Sequence, residues 1–442
     1  MQTDLTLEAS AKETELDQKY RYWRIRIFYS MFVGYAFYYL SRKSLTTVMP
    51  VLIADLGMSK ASLGFLGTAF SLTYGLSKFV SGIMSDRSNP RYFMAFGLMI
   101  TGFANIFFGF SSTVSAFALF WGINGWFQGF GWPPCAKLLT HWYAQSERGA
   151  WWSTFNVSHN VGAFATPYIV TVVVWYLGWR YAMYVPGLLC IMMSFVLLNR
   201  LRSTPESMDL PSVENWISEE SKPEDTEVDE DRKLSTKELL FNIVLKNPYV
   251  WLLAFSYFFV YFVRTAVGEW TALYLIESKS YTLMGANSCV SLFEVGGFVG
   301  CLAAGWASDK LFRAERGPIL VLFSIGMLLS SVGFYMNPEG FWLGDCIAMF
   351  AMGFFVFGPQ MMIGMAAAEY THINAAATAT GFVGWFAYAG AAIAGYPLGR
   401  IAEDYGWIGY NISMGACCLV ALLLMVPLWR VKSRDVREKL LK

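Results

Sequence analysis

Residues 27–50 read IFYSMFVGYAFYYLSRKSLTTVMP, an apolar run that Arg42 and Lys43 interrupt well past its middle. About 20 apolar residues cross the hydrocarbon of a bilayer, so this run is long enough to be a membrane helix. Arg42 lies sixteen residues after Arg26, which marks the start of the span. At about 1.5 Å per residue it sits about 24 Å along the helix. Even on the mildest scales a basic side chain there costs about 2.5–3.5 kcal/mol. A membrane helix carries that cost only with a partner, and the obvious partner of a cation is an anion.

The arrangement returns 222 residues later. PYVWLLAFSYFFVYFVRTAVGEW (248–270) places Arg264 sixteen residues after Pro248. Each arginine leads to a similar loop, Gly82-x-x-x-Asp86-Arg87 after the first and Gly305-x-x-x-Asp309-Lys310 after the second, at intervals of 44 and 45 residues from arginine to aspartate. Trp132-Pro133-Pro134 then answers Gly358-Pro359-Gln360, and Gly178-Trp179 answers Gly406-Trp407. The chain is an internal duplication in which each half donates one basic residue.

Composition agrees. Of 442 residues 55% are hydrophobic and only 15% charged, where a soluble domain carries about 25% charged. The net charge of +1 identifies no partner, because the charges are segregated along the chain. The seven cysteines lie in or beside apolar runs and form no Cys-x-x-Cys pair, which supports neither a zinc site nor a disulfide framework.

In chain order, residues 1–20 read as a polar, solvated tail without the apolar core of a signal peptide. Six apolar spans follow within 21–200, at 26–50, 62–85, 91–111, 116–140, 149–176 and 180–200. Residues 201–246 carry Pro205, Pro211, Pro223 and the acidic run EESKPEDTEVDEDRK, which reads as a flexible linker with a short helix near 236–244. Six more spans lie within 247–430, at 248–275, 284–308, 317–336, 341–366, 376–402 and 408–430, before a tail at 431–442. Lys and Arg cluster in the loops on one side, leaving little beyond Lys60, Arg180 and Lys279 on the other. By the positive-inside rule both termini and the linker are cytoplasmic. The expectation is an all-α membrane protein, twelve transmembrane helices in two pseudo-symmetric six-helix bundles. Gly125 and Gly129, Gly296 and Gly300, and Gly395 and Gly399 have the spacing that lets helix backbones approach closely in lipid, a packing role first of all.

The deep cations are Arg42, Lys43, Lys78 and Arg264, and the deep acids Glu269 and Glu294, a surplus of two positive charges. A phosphate monoester carries about −1.5 to −2 at neutral pH. The planar fork of arginine suits two phosphate oxygens at once, so Arg42 and Arg264 are the candidate clamp. Tyr35, Tyr38 and Arg42 share a helix face, as do Tyr257, Tyr261 and Arg264; such stripes either pack or bind. Lys43 points about 100° away from Arg42, placed to pair with Glu269 or Glu294 across the halves. Lys78 either snorkels to the interface or faces the ligand. His159, in the polar stretch Phe155-Asn156-Val157-Ser158-His159-Asn160, is a structural histidine or a group that gains a proton when a dianion arrives. No nucleophile–base pair or metal-ligand spacing appears, so an enzyme is not expected, nor a cofactor, nor a nucleic-acid partner.

The duplication and Gly82-x-x-x-Asp86-Arg87-Ser88-Asn89-Pro90-Arg91 resemble the major facilitator superfamily. Arg148-Gly149-x5-Phe155-Asn156-x2-His159-Asn160-Val161-Gly162 resembles the signature of its organophosphate:phosphate antiporters, which usually have Trp at position 155 and Gly at 163, where this chain has Phe and Ala. SKFVSGIMSDRSNPRYF (77–93) and GFFVFGPQMMIGMAAAE (353–369) look closest to the hexose-phosphate branch, which includes a sugar-phosphate sensor. The resemblance implies alternating access in a monomer of the cell inner membrane. It implies that Arg42 and Arg264 bind phosphate, that Lys78, His159 and Asn156 line the site, and that Tyr35, Tyr39, Tyr74, Tyr261 and Tyr388 form its aromatic wall. Lys43, Glu269, Glu294, Asp86, Arg87 and Asp309 are the expected gating and charge network. A family tyrosine on span 10 is replaced by Phe357, and Gly381 to Gly399 lacks the charged pair that hexose-phosphate transporters can carry on span 11. The implied activity is exchange of a hexose phosphate, glucose 6-phosphate above all, for inorganic phosphate. The alternatives are a receptor for external glucose 6-phosphate that signals to a histidine kinase, and a glycerol 3-phosphate:phosphate antiporter.

Overall fold

A computed structural model describes residues 2–217, 241, 244–313, 315–371 and 375–431. The described chain is helical, with no strand among the described residues. In lipid a spanning segment must satisfy its own backbone, which leaves the helix as the only solution for a chain that forms no barrel. The first bundle comprises α1 (Gln2–Leu56), α2 (Lys60–Asp86), α3 (Pro90–Phe110), α4 (Val114–Gln128), α5 (Trp132–Trp142), α6 (Gln145–Leu177) and α7 (Tyr181–Arg200). After a short α8 (Val213–Ile217), the second comprises α9 (Pro248–Lys279), α10 (Leu283–Lys310), α11 (Arg316–Met336), α12 (Trp342–Glu369), α13 (Ala376–Ile393), α14 (Tyr396–Asp404) and α15 (Gly406–Met425). Eight of the described helices are long and apolar enough to cross a membrane. The other four crossings are α1 and α2, which carry Arg42, Lys43 and Lys78 within their length, and two spans that are each broken into two helices.

Local chemistry repeats between α2 and α10 at an offset of 223 residues, one more than that of the arginines. Ser59 accepts from the Ser62 N–H at 3.1 Å to start α2, and Thr282 accepts from Gly285 N–H at 3.2 Å to start α10. Asn89 caps α3 ahead of Pro90 and Asn247 caps α9 ahead of Pro248, helices that are not equivalents in the duplication. These are favoured N-cap and first-turn residues. The duplication extends to how α2 and α10 begin.

Four expectations need correction. The expected single spans 116–140 and 376–402 are interrupted, at Gly129–Gly131 before Pro133 and Pro134, and at Ala394–Gly395 before Pro397. Proline lacks the N–H that would continue the ladder. Residues 2–20 of the expected tail are helical as the start of α1, with Glu15 and Lys19 exposed and Tyr20 fully buried. The expected linker is packed at its beginning: Trp216 stacks on Tyr20 with centroids 4.2 Å apart and donates to Asp17 at 2.7 Å. Of the expected helix near 236–244 only residues 241 and 244 are described, and the tail 432–442 lies outside the described residues.

Both described ends lie at one face of the bundle, called proximal here; the opposite face is distal. The halves meet at the distal end. Thr68 of α2 donates to the Ala392 carbonyl at 2.7 Å and accepts from the Tyr396 N–H at 2.8 Å. Asn287 donates to Thr171 at 2.9 Å, and Lys60 pairs with Glu277 at 2.6 Å. A Cβ on Gly64 would lie 2.6 Å from the Gly395 carbonyl oxygen, and one on Gly399 2.7 Å from that of Lys60. Toward the proximal end, a Cβ on Gly82, Gly364, Gly381 or Gly384 would meet nothing within 4 Å. The bundles are therefore sealed distally and parted proximally. Gly125, Gly129, Gly296 and Gly300 pack helix on helix within a half, as their spacing predicts.

Candidate functional site

A cavity of about 320 Å³ lies between the halves and reaches from mid-membrane toward the proximal face. Arg42 of α1 and Arg264 of α9 line its deep end, and both also line a smaller distal cavity of about 40 Å³. The two arginines of the duplication thus share one space. Lys78 joins them, and no Asp or Glu is among the lining residues of the larger cavity. No carboxylate lies within ion-pair reach of either guanidinium among the described residues.

Aromatic rings hold the cations instead. The Arg42 guanidinium lies 4.6 Å from the Tyr74 ring, 5.2 Å from Phe70 and 5.4 Å from Tyr39. That of Arg264 lies 4.8 Å from Phe357 and 5.3 Å from Tyr261. Ring faces attract cations at such distances without neutralising them. Phe357 therefore meets Arg264 with a ring face where the resemblance implied a hydroxyl. Tyr388 of α13 sits between the halves, its ring 5.0 Å from Tyr74 and 5.6 Å from Tyr261, and its hydroxyl 3.4 Å from the Lys78 ammonium. Lys78 faces this cavity rather than snorkelling.

Tyr35, Asn156 and His159 also line the cavity, and the His159 ring lies 5.5 Å from that of Tyr39. The tyrosine stripe divides. Tyr35, Tyr257 and Tyr261 face the cavity, whereas Tyr38 donates to the Met94 carbonyl at 2.8 Å in the first bundle.

Of the expected charge network, Lys43 reaches Glu294 across the halves at 3.8 Å, and Asn160 donates to the Glu294 carbonyl at 3.2 Å. Glu269 instead lines the small distal cavity with Arg42 and Lys43. Asp309 pairs with Arg316 at 2.7 Å, and Arg316 with Glu369 at 2.9 Å, all within the second half. Arg87 is exposed at the end of α2, and the side chain of Asp86 lies outside the described residues.

Residue patterns missed two features. Lys279 reads as a loop cation, yet its side chain is 3% exposed and bonds at 2.6 Å to the fully buried Asp345, which also accepts from Tyr281 at 2.7 Å. The four-residue neighbourhood of Lys279 gives no sign of a partner 66 positions away. The other is Gln360, which follows the proline of α12 and lines the cavity; a polar residue inside an apolar span is its only sequence signal.

Residues 31–395 match the Major Facilitator Superfamily. A probable hexose phosphate transport protein of Chlamydia trachomatis is 56% identical over 95% of this chain and 94% of that one. A membrane sensor protein, UhpC, of Salmonella typhimurium is 47% identical over 96% of each. Among solved structures, a bacterial homolog of the human lysosomal transporter Spinster, inward-facing and unoccupied, superposes with a TM-score of 0.73 at 16% identity over 95% of this chain and 98% of that one. The chain belongs to the major facilitator superfamily. It is a multi-pass membrane protein with that family's two-bundle transporter fold.

Proposed function

We propose that this protein is an antiporter of the cell inner membrane that exchanges a hexose phosphate, glucose 6-phosphate above all, for inorganic phosphate. One observation carries the reading: two guanidinium groups, one from each half, line the larger cavity, which has no carboxylate among its described lining residues. The acid beside them in the smaller distal cavity, Glu269, pairs with neither. A phosphate group satisfies both at once, and sugar phosphate and inorganic phosphate share it. The name of the 56% identical relative supports the same cargo. Empty, the facing arginines repel and resist closure; occupied, they are bridged, and the distal seal exchanges for a proximal one. Exchange rather than leak follows, because the empty form closes poorly. Lys78, His159, Asn156 and the tyrosines Tyr35, Tyr39, Tyr74, Tyr261 and Tyr388 are the further binding groups in this reading. Lys43, Glu294 and Glu269 bias the gate. The proximal face is cytoplasmic, the protein works as a monomer without enzymatic activity, and the linker 201–246 joins the halves on that side.

Phosphate-loaded proteoliposomes offered labelled glucose 6-phosphate test the reading. Uptake that depends on internal phosphate supports it; binding of the ester with no uptake overturns it. That second outcome belongs to a receptor which passes glucose 6-phosphate occupancy to a histidine kinase, a reading favoured by the likeness to a sensor over almost the whole chain.

A further inference from the structure

The larger cavity extends proximally past the arginines, and its wall there is uncharged apart from Lys78. On α12, Gln360 lies three residues beyond Phe357, whose ring touches the Arg264 guanidinium. Three residues along a helix is about 4.5 Å, on the same face. Gln360 lines only the larger cavity, and its Oε1 is buried without a hydrogen-bond partner. Its amide makes no hydrogen bond to the protein among the described residues. Buried amide oxygens are nearly always bonded, and leaving one unpaired costs free energy. The other half places Asn156 at the corresponding distance, three residues proximal to His159 on α6. Trp132, at the start of α5, adds an indole to the same wall, its ring 5.7 Å from that of Tyr35. One turn below the cations the cavity thus offers two neutral amides from opposite halves and an aromatic surface.

We propose that Gln360 is the specificity-determining residue of a sugar subsite, its side-chain amide bonding a ring hydroxyl of a hexose phosphate whose phosphate rests on Arg42 and Arg264. The inference rests on the antiporter reading above and adds to it the group that tells a hexose phosphate from inorganic phosphate. An amide both donates and accepts, which matches a hydroxyl; the arginines, being donors only, match the phosphate. Inorganic phosphate has nothing to reach Gln360, and a three-carbon ester presents fewer hydroxyls to it. The amide of this cavity-lining residue, which can turn either its oxygen or its nitrogen to a hydroxyl, is then a binding group. A subsite that bonds a substrate hydroxyl discriminates strongly against ligands that lack it.

The test compares ligands within one protein. In phosphate-loaded proteoliposomes, the KM for glucose 6-phosphate divided by that for phosphate is measured for the unmodified protein, for Gln360→Met and for Gln360→Asn. The Met variant is expected to raise this ratio about tenfold, the worth of one hydrogen bond to a buried polar group, and the Asn variant by less. A ratio within vesicles does not depend on how much protein inserted. With the unmodified protein, hexose phosphates lacking one ring hydroxyl at a time should include one analogue that loses about as much, and no further in Gln360→Met. An unchanged ratio, or the same analogue loss in both proteins, overturns the subsite. Should neither variant reach the membrane, a deoxy series that shows no loss with the unmodified protein overturns it equally. Absence of phosphate self-exchange by the unmodified protein would instead overturn the antiporter reading, so the two failures are distinct.

Discussion

Two groups of cations in this protein have different partners, Lys279 and Arg316 being buried and Arg42 and Arg264 half-buried. Lys279 and Arg316 are each locked by carboxylates of their own bundle: Lys279 to Asp345 at 2.6 Å, Arg316 to Asp309 and Glu369 at 2.7 and 2.9 Å. Arg42 and Arg264 lie against tyrosine and phenylalanine rings, face a larger cavity with no acid among its described lining residues, and form no ion pair with Glu269 of the smaller one. The first group has its counter-charge supplied by the fold. The second leaves that role open to something that enters. The difference teaches that burial of a charge alone does not mark a functional site; burial beside an open space, without a covalently supplied partner, does.

That contrast can be broken by removing partners. Asp345→Ala strands the Lys279 ammonium away from water, and loss of one member of a buried pair costs about 3–5 kcal/mol. Thermal unfolding in detergent should show a large drop, mostly restored by adding Lys279→Met; an unchanged melting temperature would deny the pair its structural role. Arg42→Lys or Arg264→Lys should do the reverse, cutting phosphate exchange by roughly a hundredfold or more through loss of the two-pronged contact while unfolding stays near that of the unmodified protein. Normal exchange by either variant removes the clamp from the mechanism.

The two ends of the cleft extend the comparison. Gly64→Ala forces a methyl group against the Gly395 carbonyl, and overpacking of that kind costs about 1–3 kcal/mol. It should shift the population away from the distally sealed form, read as raised distal accessibility of a cysteine placed at Ser71. Gly381→Ala, with nothing within 4 Å in this form, should leave that accessibility unchanged. The smallest effect belongs to Lys60→Ala. Its pair with Glu277 is partly exposed, 19% and 31% at the side chains, and such pairs contribute about 0–1 kcal/mol. The same cysteine should report a change of fivefold or less.

Much of this was legible in the residues. The 222-residue offset pairs Arg42 with Arg264, and both line the larger cavity, because two copies of one folding unit bring equivalent positions to equivalent depths. Lys43 was legible as an interhalf residue, since its direction follows from the helical period, but not its preference for Glu294 over Glu269, which lie on different helices. The breaks after Gln128 and Ile393 were visible as Gly and Pro yet read through, because hydropathy averages over them. Tyr38 and Tyr39 are adjacent and chemically identical, and only the neighbouring helices make one a strut and the other a wall of the cavity.

What the sequence alone determined is the membrane architecture and the depth of its charges. Both depend on local quantities, the apolar length of each segment and the position of a cation along it, which lipid reads one helix at a time. What only the tertiary structure decided is which buried polar groups are satisfied. Asp345 for Lys279, aromatic rings for Arg264 and no partner among the described residues for the Gln360 amide oxygen are outcomes of how helices distant in the chain pack together. So is the choice of sealed end, where glycine backbones touch at the distal face and stand apart at the proximal one.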